Sequence, residues 1–258
     1  MNQMLTSEDH QKIKDLRLTI FAEKFFELTN DESNDSLLPE EVFMNAVDHT
    51  LGIRQSQKTS KLIKQAQFPL PSANIAELHY LPGRNIDQAR MKRYANHQWR
   101  TDPTNLLIIS PTGGGKTYIA CAIGVAACHS GHTVYYTRMD DLARLLMMAP
   151  DDRREHHQLL ERLQETDLLI IDDFLTVGID QNIASDLFAV LADREHRLPT
   201  VIVSQTDPSY WVTVMPDKIA GDSIVNRLAN NTRWLLLGKT DMRQINGEKA
   251  RDAAGFWE

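Results

Sequence analysis

The sequence predicts an α/β fold, a parallel sheet with helices on both faces, preceded by a small helical N-terminal domain. Three observations carry that expectation. Continuous apolar runs at 106–110, 133–137, 168–171 and 200–204 alternate with helical stretches, the pattern of strands buried on both faces. A glycine-rich turn joins the first of these runs to a helix of small residues. The segment before residue 68 carries apolar residues at helical spacing instead.

Along the chain, Ile13, Leu16 and Ile20 form a weak helical stripe, followed by the polar connector TNDESNDS. In LLPEEVFMNAVDHTL, Phe43, Ala46, Val47, Thr50 and Leu51 fall on one face of a helix that starts near Pro39. Pro69, Pro71, Pro82 and Gly83 then interrupt any regular element. The expected organisation is a helical domain at 1–67, a linker at 68–85, the α/β core at 86–245 and a tail at 246–258.

Composition sets bounds on function. With 258 residues, 42% hydrophobic and 24% charged, the chain sustains one α/β core and a small appendage. No apolar run reaches the length of a membrane span, and the polar start MNQMLTSEDHQKIKDL argues against a secretory signal. Cys121 and Cys128 share one predicted helix at a separation of about 10 Å, too far to bridge. A reduced, cytoplasmic protein with no membrane partner is expected. The net charge of −7 gives no global basic field, so contact with nucleic acid requires a local patch.

The stretch NLLIISPTGGGKTYIACAIGVAA places three consecutive glycines between strand and helix. Such residues weaken a fold unless something approaches the backbone closely. At a helix N-terminus, the amides of residues 113–116 point at an anion that the helix dipole favours. The segment resembles a Walker A loop, G-x-x-x-x-G-K-[ST], in Ser110, Pro111, Thr112, Gly113, Gly114, Gly115, Lys116 and Thr117, with Tyr118 following. Ser110 stands where the first glycine belongs. Lys116 is expected to reach the β- and γ-phosphates of ATP, and Thr117 to ligate Mg²⁺. A chance Gly-Lys-Thr in a plain turn is the alternative, and the flanking strand and helix favour phosphate.

In DLLIIDDF a buried strand ends in Asp172 and Asp173, resembling a Walker B motif. Asp172 is expected to hold Mg²⁺ through water, and Asp173 to orient or deprotonate the attacking water. An acidic turn that merely ends a strand is the plainer reading. PTVIVSQTD ends in Ser204 and Gln205, either of which suits a polar sensor of the γ-phosphate, although ordinary strand capping suits them equally. Arg227 on a predicted helix and Arg243 after the apolar run 234–237 offer guanidinium groups, which phosphoryl transfer needs. Spacing alone singles out neither. In LGIRQSQKTSKLIKQ, Arg54, Lys58, Lys61 and Lys64 share a broad helical face without an acidic residue. That face is either solvated or a track for DNA phosphates.

Taken together, the order of motifs resembles the IstB-like helper ATPases of insertion sequences, relatives of DnaC-type helicase loaders in the AAA+ class. The matching pieces are RLTIFAEKFFE, KLIKQAQFPLP, NLLIISPTGGGKT, LLIIDDF, LPTVIVSQTDPSYW and GDSIVNRLANNTRWLLLGKTDMR, while INGEKARDAAGFWE falls outside. The resemblance implies a P-loop AAA+ core and an ATP-controlled homo-oligomer, ring or filament. Such an assembly forms on double-stranded DNA and directs the transposase of the same insertion sequence. It also implies that Arg227, in IVNRL, is the arginine finger for a neighbouring subunit and that Arg243, in DMR, is sensor 2. Ser110 and the sensor without asparagine depart from the pattern and bear on hydrolysis rate more than on binding. The alternatives are a helicase loader, a small-molecule P-loop kinase with DDRREHHQLLERL as its lid, and a non-hydrolysing switch that coats DNA.

Overall fold

The computed structural model describes residues 6–34, 36–148 and 153–245. The chain divides into two compact units at the junction of Lys61 and Leu62.

In the first unit, Thr6 and Asp9 form a capping box that starts α1 (Ser7–Asp15). Arg17 then adopts a left-handed conformation, φ 59°, and α2 runs Thr19–Asn30. The expected stripe of Ile13, Leu16 and Ile20 is therefore split between two helices, and Leu16 is exposed. A cluster of aromatic rings holds the unit together. Phe21 stacks on Phe25 at 5.3 Å, and Phe43 meets them edge-on at 5.4 and 6.3 Å. Phe43 belongs to α3 (Pro39–Ala66), which begins at the expected proline. Its buried line is Val42, Ala46 and Thr50, rotated from the expected face, so that Leu51 is exposed. Thr50 tolerates burial because its hydroxyl donates to the Ala46 carbonyl at 2.7 Å.

The second unit opens with the end of α3. Apart from a 3₁₀ turn at Ile75–Glu77, residues 68–85 are irregular, as their prolines dictate, yet they are no free spacer. Phe68, Ala73, Ile75 and Leu78 are buried in the core of the α/β unit. The ring of Phe68 lies where a Cβ on Gly124 would be, 2.5 Å away, which explains a glycine inside a helix. The boundary at Lys61 and Leu62 thus precedes the expected linker. Asp87 then caps α4 (Gln88–Ala95), an element absent from the sequence expectation.

The core follows as β1 (Asn105–Ile109), α5 (Lys116–His129), β2 (Val134–Arg138), α6 (Met139–Met148), α7 (Arg153–Glu165) and β3 (Leu168–Asp172). It continues as α8 (Gln181–Arg194), β4 (Thr200–Ser204), α9 (Pro208–Val214), α10 (Lys218–Asn230) and β5 (Thr232–Leu236). The strand order is β2-β3-β4-β1-β5, every pair parallel, with Leu107 in register with both Ile202 and Trp234. Successive strand residues face opposite sides. Leu106, Ile108, Leu168, Ile170, Val201 and Val203 pack in the cluster that includes α5. Leu107, Leu169, Ile171 and Ile202 pack with residues of α6, α8 and α10. Both faces are covered, as expected for this fold class.

Strand β5 corrects the sequence reading, which saw 234–237 only as an apolar run. Cys121 and Cys128 are unpaired, and burial pushes both thiols up to about 12. Helix α7 carries most of the segment considered as a kinase lid, whose residues 151–152 lie outside the described set. It is fastened to the unit: Leu163 is buried, Arg162 lies 4.3 Å over the Tyr135 ring, and His156 pairs with Asp186 at 2.8 Å. Among the described residues, no helix is long and apolar enough to cross a membrane.

Candidate nucleotide site

Parallel strands all end at one edge of the sheet, and there the loop after β1 meets the last residue of β3. Gly113 and Gly115 take positive φ values of 86° and 81°, a conformation that side chains resist. Space is equally restrictive. A Cβ on Gly113 would lie 2.4 Å from Asp241 Oδ1, and one on Gly115 2.7 Å from Arg84 Nη2. Gly115→Ala is expected to destabilise the fold by about 1–3 kcal/mol and to weaken ATP binding, which denaturant melts and ATP titration will measure. Ser110, in the position of the first loop glycine, is accommodated by its neighbour. Its Oγ donates to the Pro111 carbonyl at 2.9 Å and fills the space 2.1 Å from where a Gly114 Cβ would stand.

Lys116 opens α5, buried, with Nζ donating to the carbonyls of Ser110 at 2.7 Å and Pro111 at 3.0 Å. Burial lowers its pKa, opposed by Asp172 and Asp173. Thr117 Oγ1 donates to Asp172 Oδ2 at 2.7 Å, so the residues expected to share a metal are in direct contact. The Tyr136 hydroxyl donates to the same oxygen at 2.7 Å. Burial and the Asp172 charge push that phenol far above its usual range, keeping it a donor. Asp172 Oδ1 accepts from the Asp173 amide at 2.8 Å. Asp173 turns away through a left-handed φ of 52° and pairs with Arg138 Nη2 at 2.7 Å. One carboxylate therefore lies beneath the loop while the other faces outward.

A cavity of about 750 Å³ lies over this arrangement. Lys116, Thr117, Asp173, Gln205 and Arg243, all named as candidates from the sequence, line it. Ser204 and Gln205 separate cleanly. Ser204 is fully buried, donating to the Phe174 carbonyl at 3.1 Å and accepting from Trp211 Nε1 at 3.2 Å, so it secures the strand end and does not line the cavity. Gln205 points into the cavity and accepts from Thr112 Oγ1 at 2.7 Å. Pro111 and Thr112 form the exposed crest of the loop. The Tyr118 hydroxyl accepts from the Asn74 amide at 3.3 Å, tying α5 to the segment after α3. The chain around Arg243 is fastened to the loop by the Met242 amide, which donates to the Gly113 carbonyl at 2.8 Å.

Arg227 is not brought to this cavity. On α10 it pairs with Glu195 and lies 4.9 Å over the Phe188 ring. Arg54, Lys58, Lys61 and Lys64 are exposed along α3, and none forms an ion pair among the described residues. Two cavity arginines escaped the sequence reading. Arg138 directly follows a buried run, a position that marks a strand end, whereas Arg84 sits in the segment taken for a linker and gives no local signal.

The sequence model of the IstB-like ATP binding protein family matches residues 11–250. The chain belongs to that family. A protein of insertion sequence IS1162 from Pseudomonas fluorescens, named for ATP binding, is 31% identical over 80% of this IstB-like chain and 89% of its own length. A similarly named insertion-sequence protein of Sinorhizobium fredii, y4pL, is 28% identical over 96% of this chain and all of its own. Among solved structures, the DnaC helicase loader matches with a TM-score of 0.56 at 15% identity, covering 64% of this chain and 96% of that one. DnaA of Aquifex aeolicus matches with a TM-score of 0.56 at 18% identity, over 70% of this chain and 56% of that one. The IstB-like chain is thus an ATP-binding protein with an AAA+ fold, as its motif order implied.

Proposed function

We propose that this IstB-like protein is a Mg²⁺-dependent ATPase that assembles on double-stranded DNA and directs the transposase of its insertion sequence. The observation that carries the reading is the division of its arginines. The cavity holds Lys116, Thr117, Asp173 and Arg243 of its own chain, while Arg227 lies outside it. In this reading Arg227 serves the site of a neighbouring subunit, as an arginine finger supplied in trans does.

Within one site, the amides of 113–116 and Lys116 bind the phosphates, and Leu70 and Leu78 offer apolar wall suited to the base. Thr117 and Asp172 are the hard oxygen donors that suit Mg²⁺, which when bound neutralises charge on the phosphates. Asp173 orients the attacking water and accepts its proton, Gln205 senses the terminal phosphate, and Arg243 draws its charge. The insertion-sequence relatives match across nearly the whole chain, which favours a transposase partner over a helicase. The likeness to the helicase loader rests on fold alone.

Electron microscopy with duplex DNA tests the whole reading. A non-hydrolysable ATP analogue is expected to give ordered oligomers on DNA, and ADP to dissolve them. Dispersed monomers in every nucleotide state would overturn it. The basic face of α3 has its own test. Lys58→Glu with Lys61→Glu is expected to leave ATP affinity unchanged while lowering the slope of log affinity for duplex against log salt by about 2 per subunit. An unchanged slope in a salt titration removes this face from the DNA track.

A further inference from the structure

We infer that Arg84 is an additional phosphate ligand of the nucleotide, its guanidinium held over the glycine loop in the segment that leads into α4. The inference rests on the cavity being the ATP site and adds to it a residue that no motif contains.

Arg84 is 2% exposed and lines the same cavity as Lys116 and Arg243. Its Nη1 donates to the His79 carbonyl at 2.7 Å. Its Nε is buried without a partner, and among the described residues no carboxylate pairs with it. Arg194 shows what a buried structural arginine looks like in this chain. Also buried, it donates to the carbonyls of Leu163, Gln164, Thr166 and Pro199 and to the Thr200 hydroxyl. A guanidinium left in Arg84's condition is costly unless an anion arrives. Burial lowers its pKa, opposed by Tyr80 and by no carboxylate.

The position of the group selects the anion. Nη2 sits 2.7 Å from where a Gly115 Cβ would stand, at the start of α5, where the helix dipole and free amides favour negative charge. A glycine is required there partly to admit this guanidinium. Arginine carries donors only, and with three other cations, Lys116, Arg138 and Arg243, on the cavity wall the cluster suits the charged phosphate oxygens better than a neutral base. The backbone is fixed in advance. The Arg84 carbonyl accepts from the Gly238 amide at 2.8 Å, and a Cβ on Gly238 would collide with the Gly83 carbonyl at 1.6 Å. The exit of β5 thereby clamps the residue, so little ordering is needed on binding.

The test is calorimetry on the full chain with Mg²⁺ and ATP, ADP or inorganic tripolyphosphate, which has neither base nor sugar. Arg84→Gln is expected to lose about tenfold or more in affinity for all three, and Arg84→Lys to recover part of the loss. Unchanged tripolyphosphate affinity in Arg84→Gln overturns the inference, as does a loss confined to ATP and ADP, which places the contact on base or sugar. If the unaltered chain binds neither ATP nor tripolyphosphate, the nucleotide reading itself has failed. If it binds both, loses both in Lys116→Ala and keeps both in Arg84→Gln, only the role of Arg84 has failed. Should Arg84→Gln not fold, ¹⁵N-arginine spectra of the unaltered chain read the site directly. One protected Nε signal, missing from Arg84→Lys, must move when tripolyphosphate is added, and a signal that stays still overturns the inference.

Discussion

Asp173→Asn is expected to bind ATP as the parent does and to lose about 10²–10⁴ in turnover. The substitution suits the position because asparagine, like aspartate, tolerates the left-handed φ of 52° found there. Its carbonyl oxygen still accepts from Arg138, which now donates to Asp173 at 2.7 Å, so the cavity wall is preserved. What disappears is the negative charge and the capacity to take a proton from water. Asp172 gives the contrast. It is buried beneath Thr117 and Tyr136, and Asp172→Asn is expected to impair metal-dependent binding as well as turnover. Phosphate release at saturating ATP, beside binding of a non-hydrolysable analogue, separates the two effects. Parent-like turnover in Asp173→Asn refutes the role given to that carboxylate. No turnover in the parent itself would favour the non-hydrolysing switch.

The parts of the fold that were legible share a physical cause. Strands β1, β3 and β4 are buried on both faces, so their sequences are continuous apolar runs. Strand β5 lies at the sheet edge, where its apolar run begins only after Thr232 and Arg233 and leaves Trp234 and Leu236 exposed, so the run by itself does not mark a strand buried on both faces. Prolines in 68–85 announce an irregular backbone, but backbone irregularity says nothing about burial, and Phe68 and Ile75 go into the core. The same division holds at the site. The Thr117 and Asp172 contact spans 55 residues yet is legible, because each end lies in a local strand-and-turn pattern. Ser204 and Gln205 are adjacent in a strand end where successive side chains diverge, so only the packing of Trp211 against Ser204 decides which one reaches the cavity. Arg138 stands at the end of a buried run, where a signal exists, whereas Arg84 enters the site through the fold alone.

Arg227→Ala is expected to bind ATP normally and to hydrolyse it about 10³–10⁵ more slowly, the largest effect foreseen for a residue outside its own chain's cavity. Its present contacts do not account for such a loss. The partly exposed ion pair with Glu195 contributes about 0–1 kcal/mol and the stack on Phe188 about 0.5–2 kcal/mol, so the variant should stay folded with a modestly lower melting point. A finger that serves another subunit must exchange Glu195 for a phosphate, which makes turnover depend on protein concentration. The decisive measurement mixes two inactive proteins. Lys116→Ala lacks the lysine expected to bind phosphate but keeps Arg227, and Arg227→Ala keeps Lys116. At an interface between them, an intact cavity meets an intact finger, so partial turnover is expected to return. A mixture as inactive as its components, together with parent turnover that does not change on dilution to monomer, would show that Arg227 acts within its own fold and that no neighbour completes the site.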